Sequence, residues 1–127
     1  MTQEEKEILF KDLCARLPYK VKAYIKNWSK LDRKYYEGVY TVESIDPSLN
    51  NIFADSERGS VEVIVGYYDY EIKPYLFPLP SMTDGMFGTS ALINFEILED
   101  FFHKNHFDYR GLIEKGLAID ATGLNIY

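Results

Sequence analysis

The sequence predicts an α+β fold: an N-terminal helix, a small, strongly bent antiparallel sheet or SH3-like or Sm-like barrel, and C-terminal helices. Three observations carry this. Thr2, Gln3, Glu4 and Glu5 form a capping box ahead of an apolar stripe at helical spacing. At Tyr19 the period changes to strand-like alternation, and short apolar runs separated by turn residues continue to Leu79. Beyond Ser90, helical spacing returns through Leu92, Phe95, Leu98 and Phe102.

In the first element the Thr2 hydroxyl is placed to accept from the amide of Glu5 while the Glu5 side chain reaches back. The stripe Leu9, Phe10, Leu13, Cys14, Leu17 gives the helix a buried face, and Pro18 forces Leu17 out of helical angles and ends it. Cys14 lies on that stripe and reads as a small core residue with no local cue for a nucleophile.

The β region alternates Tyr19, Val21, Ala23 and Ile25 with Lys20, Lys22, Tyr24 and Lys26, a half-buried strand with a basic outer face. A polar loop is expected from Asn27 to Lys34 and a second strand from Tyr35 to Ile45. Asp46-Pro47-Ser48 makes a turn into the short run at Ile52 and Phe53, and Ser56 to Gly59 makes another before Val61, Val63 and Val65. The last extended stretch, Tyr67 to Leu79, contains Pro74 and Pro78, which predicts an edge strand or a polyproline-like cover.

After Pro80, Ser81 to Ser90 has no period and reads as a loop. A helix is expected from about Leu92 to Asn105, then a shorter one from Tyr109 to Lys115, with Asp108 as its cap and Gly116 as its left-handed terminator. The 127 residues make a single domain, helical over 1–17, β over 19–79 and largely helical over 91–127. A chain of this size buries roughly two-thirds of its unfolded surface in one core. With 11 Tyr, 8 Phe and 1 Trp, there is ample aromatic area to fill it.

Composition also excludes. No apolar run approaches the roughly 20 residues of a membrane span. The acidic start, Met1 to Glu7, is unlike a basic secretory leader and predicts no export. A single cysteine rules out an internal disulfide and multi-cysteine zinc sites and fits a reducing cytosol.

Charge is uneven. Net charge is −6, yet the segment from Lys11 to Lys34 carries +6 and the remainder −12, a dipolar pattern that steers anionic partners or draws two copies together. Within it, Lys26, Trp28, Lys30, Arg33, Lys34, Tyr35 and Tyr36 interleave cations with rings. Bases stack on such rings and phosphates pair with such cations, so these residues are the candidate site for a nucleotide or a single-stranded nucleic acid. The second aromatic cluster, Tyr67, Tyr68, Tyr70 and Tyr75, flanks Asp69 and Glu71 and reads as a protein-contact surface, to a partner or to a second copy.

Catalytic patterns do not emerge. His103 and His106, with Asp100 and Asp108 nearby, lack a third strong ligand fixed by spacing, and a helix-end reading accounts for them, so no metal or other cofactor is expected. There is no nucleophile elbow, and Gly85 to Gly88 lack the Lys-Ser or Lys-Thr of a phosphate loop. The expectation is a non-enzymatic binding protein.

Three strings carry a resemblance: Lys11 to Tyr19 (KDLCARLPY), Ile72 to Leu79 with Ser81 to Thr83 (IKPYLFPL, SMT), and Asn105 to Ile113 with Gly116 to Ala118 (NHFDYRGLI, GLA). In this order they resemble a family of small uncharacterised proteins of gut bacteria of the Bacteroides group and of their phages and mobile elements. The resemblance implies a cytosolic accessory protein of the kind a phage encodes, and it assigns no activity, cofactor or catalytic residue.

Overall fold

The capping box sets the first element. In the computed structural model, which describes residues 2–29, 33–46, 48, 50–64, 70–79 and 95–127, the Glu5 amide donates to Thr2 Oγ1 at 3.1 Å and the Thr2 amide to Glu5 Oε1 at 2.9 Å. Helix α1 runs Gln3–Arg16 and passes into a single 3-10 turn, Leu17–Tyr19, with Pro18 in its first positions. Lys20 then adopts a left-handed conformation that redirects the chain into the sheet.

The strands are β1 (Lys22–Ser29), β2 (Lys34–Asp46), β3 (Asn51–Ser56), β4 (Gly59–Ile64) and β5 (Tyr70–Pro78), followed by helix α2 (Phe95–Lys104) and the two-residue strands β6 (Phe107–Asp108) and β7 (Ile119–Asp120). The sheet order is β4-β3-β2-β1-β5-β6, with β7 also pairing with β5. The long pairings are antiparallel, and only the short bridges from β5 to β6 and β7 are parallel.

Alternation works as physical chemistry requires: Val21, Ala23 and Ile25 are fully buried, and Val42, Ile52, Ala54, Val61 and Val63 join them on the inner face. Leu9, Phe10 and Leu13 of α1 close this core, together with Leu112, Leu117 and Ala118 from the C-terminal segment.

Four expectations are corrected. The sheet is open among the described residues and is not a barrel: β4 has only β3 beside it, and the far rim is the two-residue β6, too short to form a ladder with it. The loop expected from Asn27 to Lys34 is shorter, because the strands continue to Ser29 and resume at Lys34. β5 is neither the outermost strand nor a cover, since it lies between β1 and β6 in the sheet.

The proline in β5 is tolerated for a geometric reason. The Val42 amide donates to the Val21 carbonyl at 3.0 Å while Lys22 stands opposite Thr41. Ala23 therefore bonds toward β2, and its pair with Pro74 on the β5 side exchanges no hydrogen bonds. The missing proline N–H costs that ladder nothing.

The fourth correction is the shorter helix expected from Tyr109 to Lys115, which is a turn. Gly111 at φ +72° interrupts it, leaving too few residues to propagate a helix. Its local signals still operate. Asp108 accepts from the amides of Leu112 (2.8 Å) and Ile113 (2.9 Å). Gly116, at φ +74°, closes the turn with bonds from Gly116 N to the Ile113 carbonyl and from Leu117 N to the Leu112 carbonyl.

Candidate functional site

Strand register decides which of the basic and aromatic residues meet. Trp28 stands opposite Tyr35, and Lys26 opposite Glu37 on one side and Glu71 on the other. Lys26, Trp28 and Tyr35 thus share the outer face of the sheet, while Lys34 and Tyr36 belong to the other face, where Tyr36 packs against the core. On the outer face Trp28 meets Tyr35 edge to face at 5.0 Å between centroids, and Lys26 Nζ lies 4.9 Å from the Tyr35 ring centre. On the inner side Lys34 Nζ lies 4.8 Å from the Tyr36 ring centre. Arg33 is exposed at the hairpin end with φ +54°, and Lys30 lies outside the described residues.

The cations of this face are locally compensated. Lys26 is flanked by two carboxylates in register, and Lys73 Nζ is 3.4 Å from Glu71 Oε1. Tyr24 bonds the Glu37 carboxylate, and its hydroxyl is pushed up in pKa by desolvation first and by that bond second. Apolar surface is exposed between the charges, at Tyr35 (45%), Val39 (41%) and Phe53 (39%).

Strand length creates a further feature that no local pattern announces. β3 pairs with β2 only from Thr41 onward, with Asp55 opposite Thr41, and then turns into the β3–β4 hairpin. The preceding part of β2 has β1 on one side and no strand on the other among the described residues. The bond from Val42 N to the Val21 carbonyl fixes the alternation, so that Tyr40 and Gly38 bond toward β1 while the peptide groups of Glu37 and Val39 face the open edge. A groove of about 420 Å³ runs along this edge, with Lys22, Glu37, Val39, Asp55, Glu57 and Arg58 among its lining residues.

Of the second aromatic cluster, Tyr67 and Tyr68 lie outside the described residues, Tyr70 packs against the core, and Tyr75 is only 8% exposed. Burial pushes the hydroxyls of both described tyrosines up in pKa.

A buried polar network joins the end of α1 to the C-terminal segment. Asp12 and Arg16 are both 0% exposed. Arg16 Nε donates to Asp12 Oδ2 at 2.8 Å and Arg16 Nη2 to the Phe107 carbonyl at 2.5 Å, while Arg110 Nε donates to Asp12 Oδ1 at 3.2 Å. Tyr109 lies beside both guanidinium groups, with Arg110 Cζ 4.8 Å and Arg16 Cζ 5.9 Å from its ring centre. Its hydroxyl is 2.9 Å from His103 Nε2. His103 is held below its ordinary pKa by burial first and by Arg16 second.

His106 stacks on Tyr127 at 3.6 Å and is pushed down to about 4, again by burial first and Arg16 second. Tyr127 in turn accepts from the Lys22 amide at 2.9 Å and donates to the Tyr75 carbonyl at 2.7 Å, and burial pushes its hydroxyl up to about 12.

The arrangement is a clamp: each carboxylate oxygen of Asp12 accepts from a guanidinium group, Oδ2 from Arg16 and Oδ1 from Arg110. Arg16 Nη1 and His106 Nδ1 are buried without a partner among the described residues. Asp12 and Arg16 were missed because charged residues in a helix are ordinarily solvated. The available signal was their i, i+4 spacing along the stripe of Leu9 and Leu13.

Among the described residues no group of three His, Cys, Asp or Glu is placed to hold a metal ion, and no helix is long and apolar enough to cross a membrane. Cys14 is half-buried rather than fully in the core, and burial pushes its thiol up in pKa, away from the reactive form. In comparisons with known proteins, no family model, no curated protein and no solved structure matches the chain.

Proposed function

We propose that the chain is a non-enzymatic binding protein that works by protein contact, using the outer side of the β1–β2 hairpin and the groove beside it. The observation that carries this reading is the character of that surface. Exposed Tyr35 and Val39 stand among charges of both signs, with Lys26 compensated in register by Glu37 and Glu71. A rim of mixed charge around exposed rings suits a protein partner better than a phosphate chain, which needs uncompensated cations. A cytosolic accessory role, as in a phage or mobile element, accords with the single half-buried cysteine.

The test is a photo-crosslinking residue placed at Val39, compared with one at exposed Glu114, in the protein expressed in its host. Discrete adducts from position 39 that are absent at 114 support the reading. Equal labelling at both positions overturns it.

One observation favours a second reading, capture of a nucleotide or single-stranded nucleic acid: Tyr35 presents a ring beside Trp28 and Lys26 on the same face. Titration of Trp28 fluorescence with single-stranded oligonucleotides and mononucleotides at two salt concentrations decides it. Saturable, salt-dependent quenching replaces protein contact with this reading, and a flat titration removes it.

A further inference from the structure

We infer that the open edge of β2 at Glu37 and Val39 is a strand-addition site for an extended, cationic segment of a partner protein. The inference rests on the protein-contact reading and names its partner chemistry. Peptide groups that face an open edge form a template for a further strand, in which main-chain bonds supply affinity and alternate side chains supply selectivity. Here the template is short and bounded. β3 occupies the same line but stops being available at Asp55, opposite Thr41, so an incoming strand lies end to end with β3 and beside Glu37 and Val39.

The groove along that line defines the chemistry. It is lined by the carboxylates of Glu37, Asp55 and Glu57 and the cations of Lys22 and Arg58. The three carboxylates outnumber the two cations, and Lys22 Nζ is turned toward the Ile126 carbonyl at 3.0 Å, so the lining keeps a small negative excess. Val39, 41% exposed, offers an apolar contact between the acids. A segment alternating basic and apolar residues matches this surface on both counts.

A second copy fits it poorly. Pairing two β2 edges antiparallel with Tyr35 opposite Val39 sets Glu37 against its own counterpart, between chains of net charge −6. The same register brings the partner's hairpin turn to Thr41, where Asp55 already sits.

The experiment is amide hydrogen exchange read by NMR on the full chain. The probes are capped synthetic peptides of about six residues, a strand's typical length: one alternating valine and lysine, one alternating valine and glutamate, and a valine–lysine peptide N-methylated at alternate positions. Saturable protection of the Glu37 and Val39 amides by the valine–lysine peptide is expected. The glutamate peptide should bind about tenfold more weakly or worse, and the N-methylated peptide should give no protection.

Glu37→Lys, which also releases the Tyr24 hydroxyl, should invert the preference between the lysine and glutamate peptides. Val39→Pro removes an edge N–H that makes no bond to β1 and should abolish protection while the thermal melt is retained.

Failure of every peptide to protect these amides overturns the inference. So does protection that rises with protein concentration in the absence of peptide, which would identify a second copy as the occupant. Adducts at Val39 that persist beside a negative peptide result leave the protein-contact reading standing and remove strand addition alone.

Discussion

Asn27 Nδ2 donates to the Glu62 carbonyl at 3.2 Å, although their strands, β1 and β4, are separated in the sheet by β2 and β3. A side chain on the inner face of β1 reaches the backbone of the rim strand only if the sheet curls strongly toward that face. The curl encloses the core without a closing ladder, and a single buried amide bridges strands that a barrel would join by backbone pairing. Asn27→Ala should cost about 1 to 2 kcal/mol, with amide exchange in β4 accelerating more than in β1. Asn27→Asp should cost more than the alanine, because a carboxylate would face a carbonyl. Chemical denaturation with residue-resolved exchange checks both.

The network around Asp12 makes a sharper contrast. Asp12→Ala leaves Arg16 fully buried and uncompensated and should cost about 3 to 5 kcal/mol. Arg110→Ala removes the partner that is still 19% exposed while the fully buried Asp12–Arg16 pair survives, and should cost less than the Asp12 change, about 1 kcal/mol. Similar losses in the two variants would mean that the pair is not the buried element of the clamp.

His106 gives the fold an acid-sensitive point. Its folded pKa, about 4, lies below its ordinary 6.5, so the unfolded chain binds the proton more readily. The contribution of the neutral imidazole is fully present above about pH 6.5 and is lost as pH falls toward 4, with His103, shifted in the same direction, adding to it. After allowance for solvent screening, His106 accounts for about 1 to 2 kcal/mol of this slope. His106→Phe keeps a ring against Tyr127 and should flatten the dependence of Tm on pH between 6.5 and 4. An unchanged slope would assign it to other groups.

Tyr127 occupies the place where the β1–β5 ladder would continue. Its hydroxyl accepts from the Lys22 amide and donates to the Tyr75 carbonyl, bridging strands that part beyond Ala23 and Pro74. Tyr127→Phe removes the bridge, strands two backbone groups and should cost about 1 to 3 kcal/mol. The stack on His106 remains in that variant, so the acid-dependent slope should persist. Thermal melts at neutral pH and at pH 5 separate the two effects.

What could be read from the amino acids alone is what forms within a few residues. The capping box of Thr2 and Glu5 depends on one turn of backbone, and it is present as the sequence predicts. The inward alternation of Val21, Ala23 and Ile25 follows from the period of a strand. Ser48 donates to Asp46 Oδ1 through both its amide and its hydroxyl, Ser56 pairs with Gly59 across the next turn, and Gly116 takes a positive φ, all local geometry. Side-chain chemistry two to five residues away suffices for each of these.

The rest was decided where distant segments meet. Whether Trp28 shares a face with Tyr35 or Tyr36 depends on a hairpin register that the basic and aromatic composition does not encode. Asp12 and Arg16 are buried because Phe107, Tyr109 and Arg110, more than 90 residues later, return to cover them. Among the described residues the sheet stays open because β6 is too short to receive β4, and β2 keeps a free edge because β3 turns into its hairpin with β4 after Asp55. These outcomes depend on where one strand ends relative to another, which packing of the whole chain sets and no local period contains.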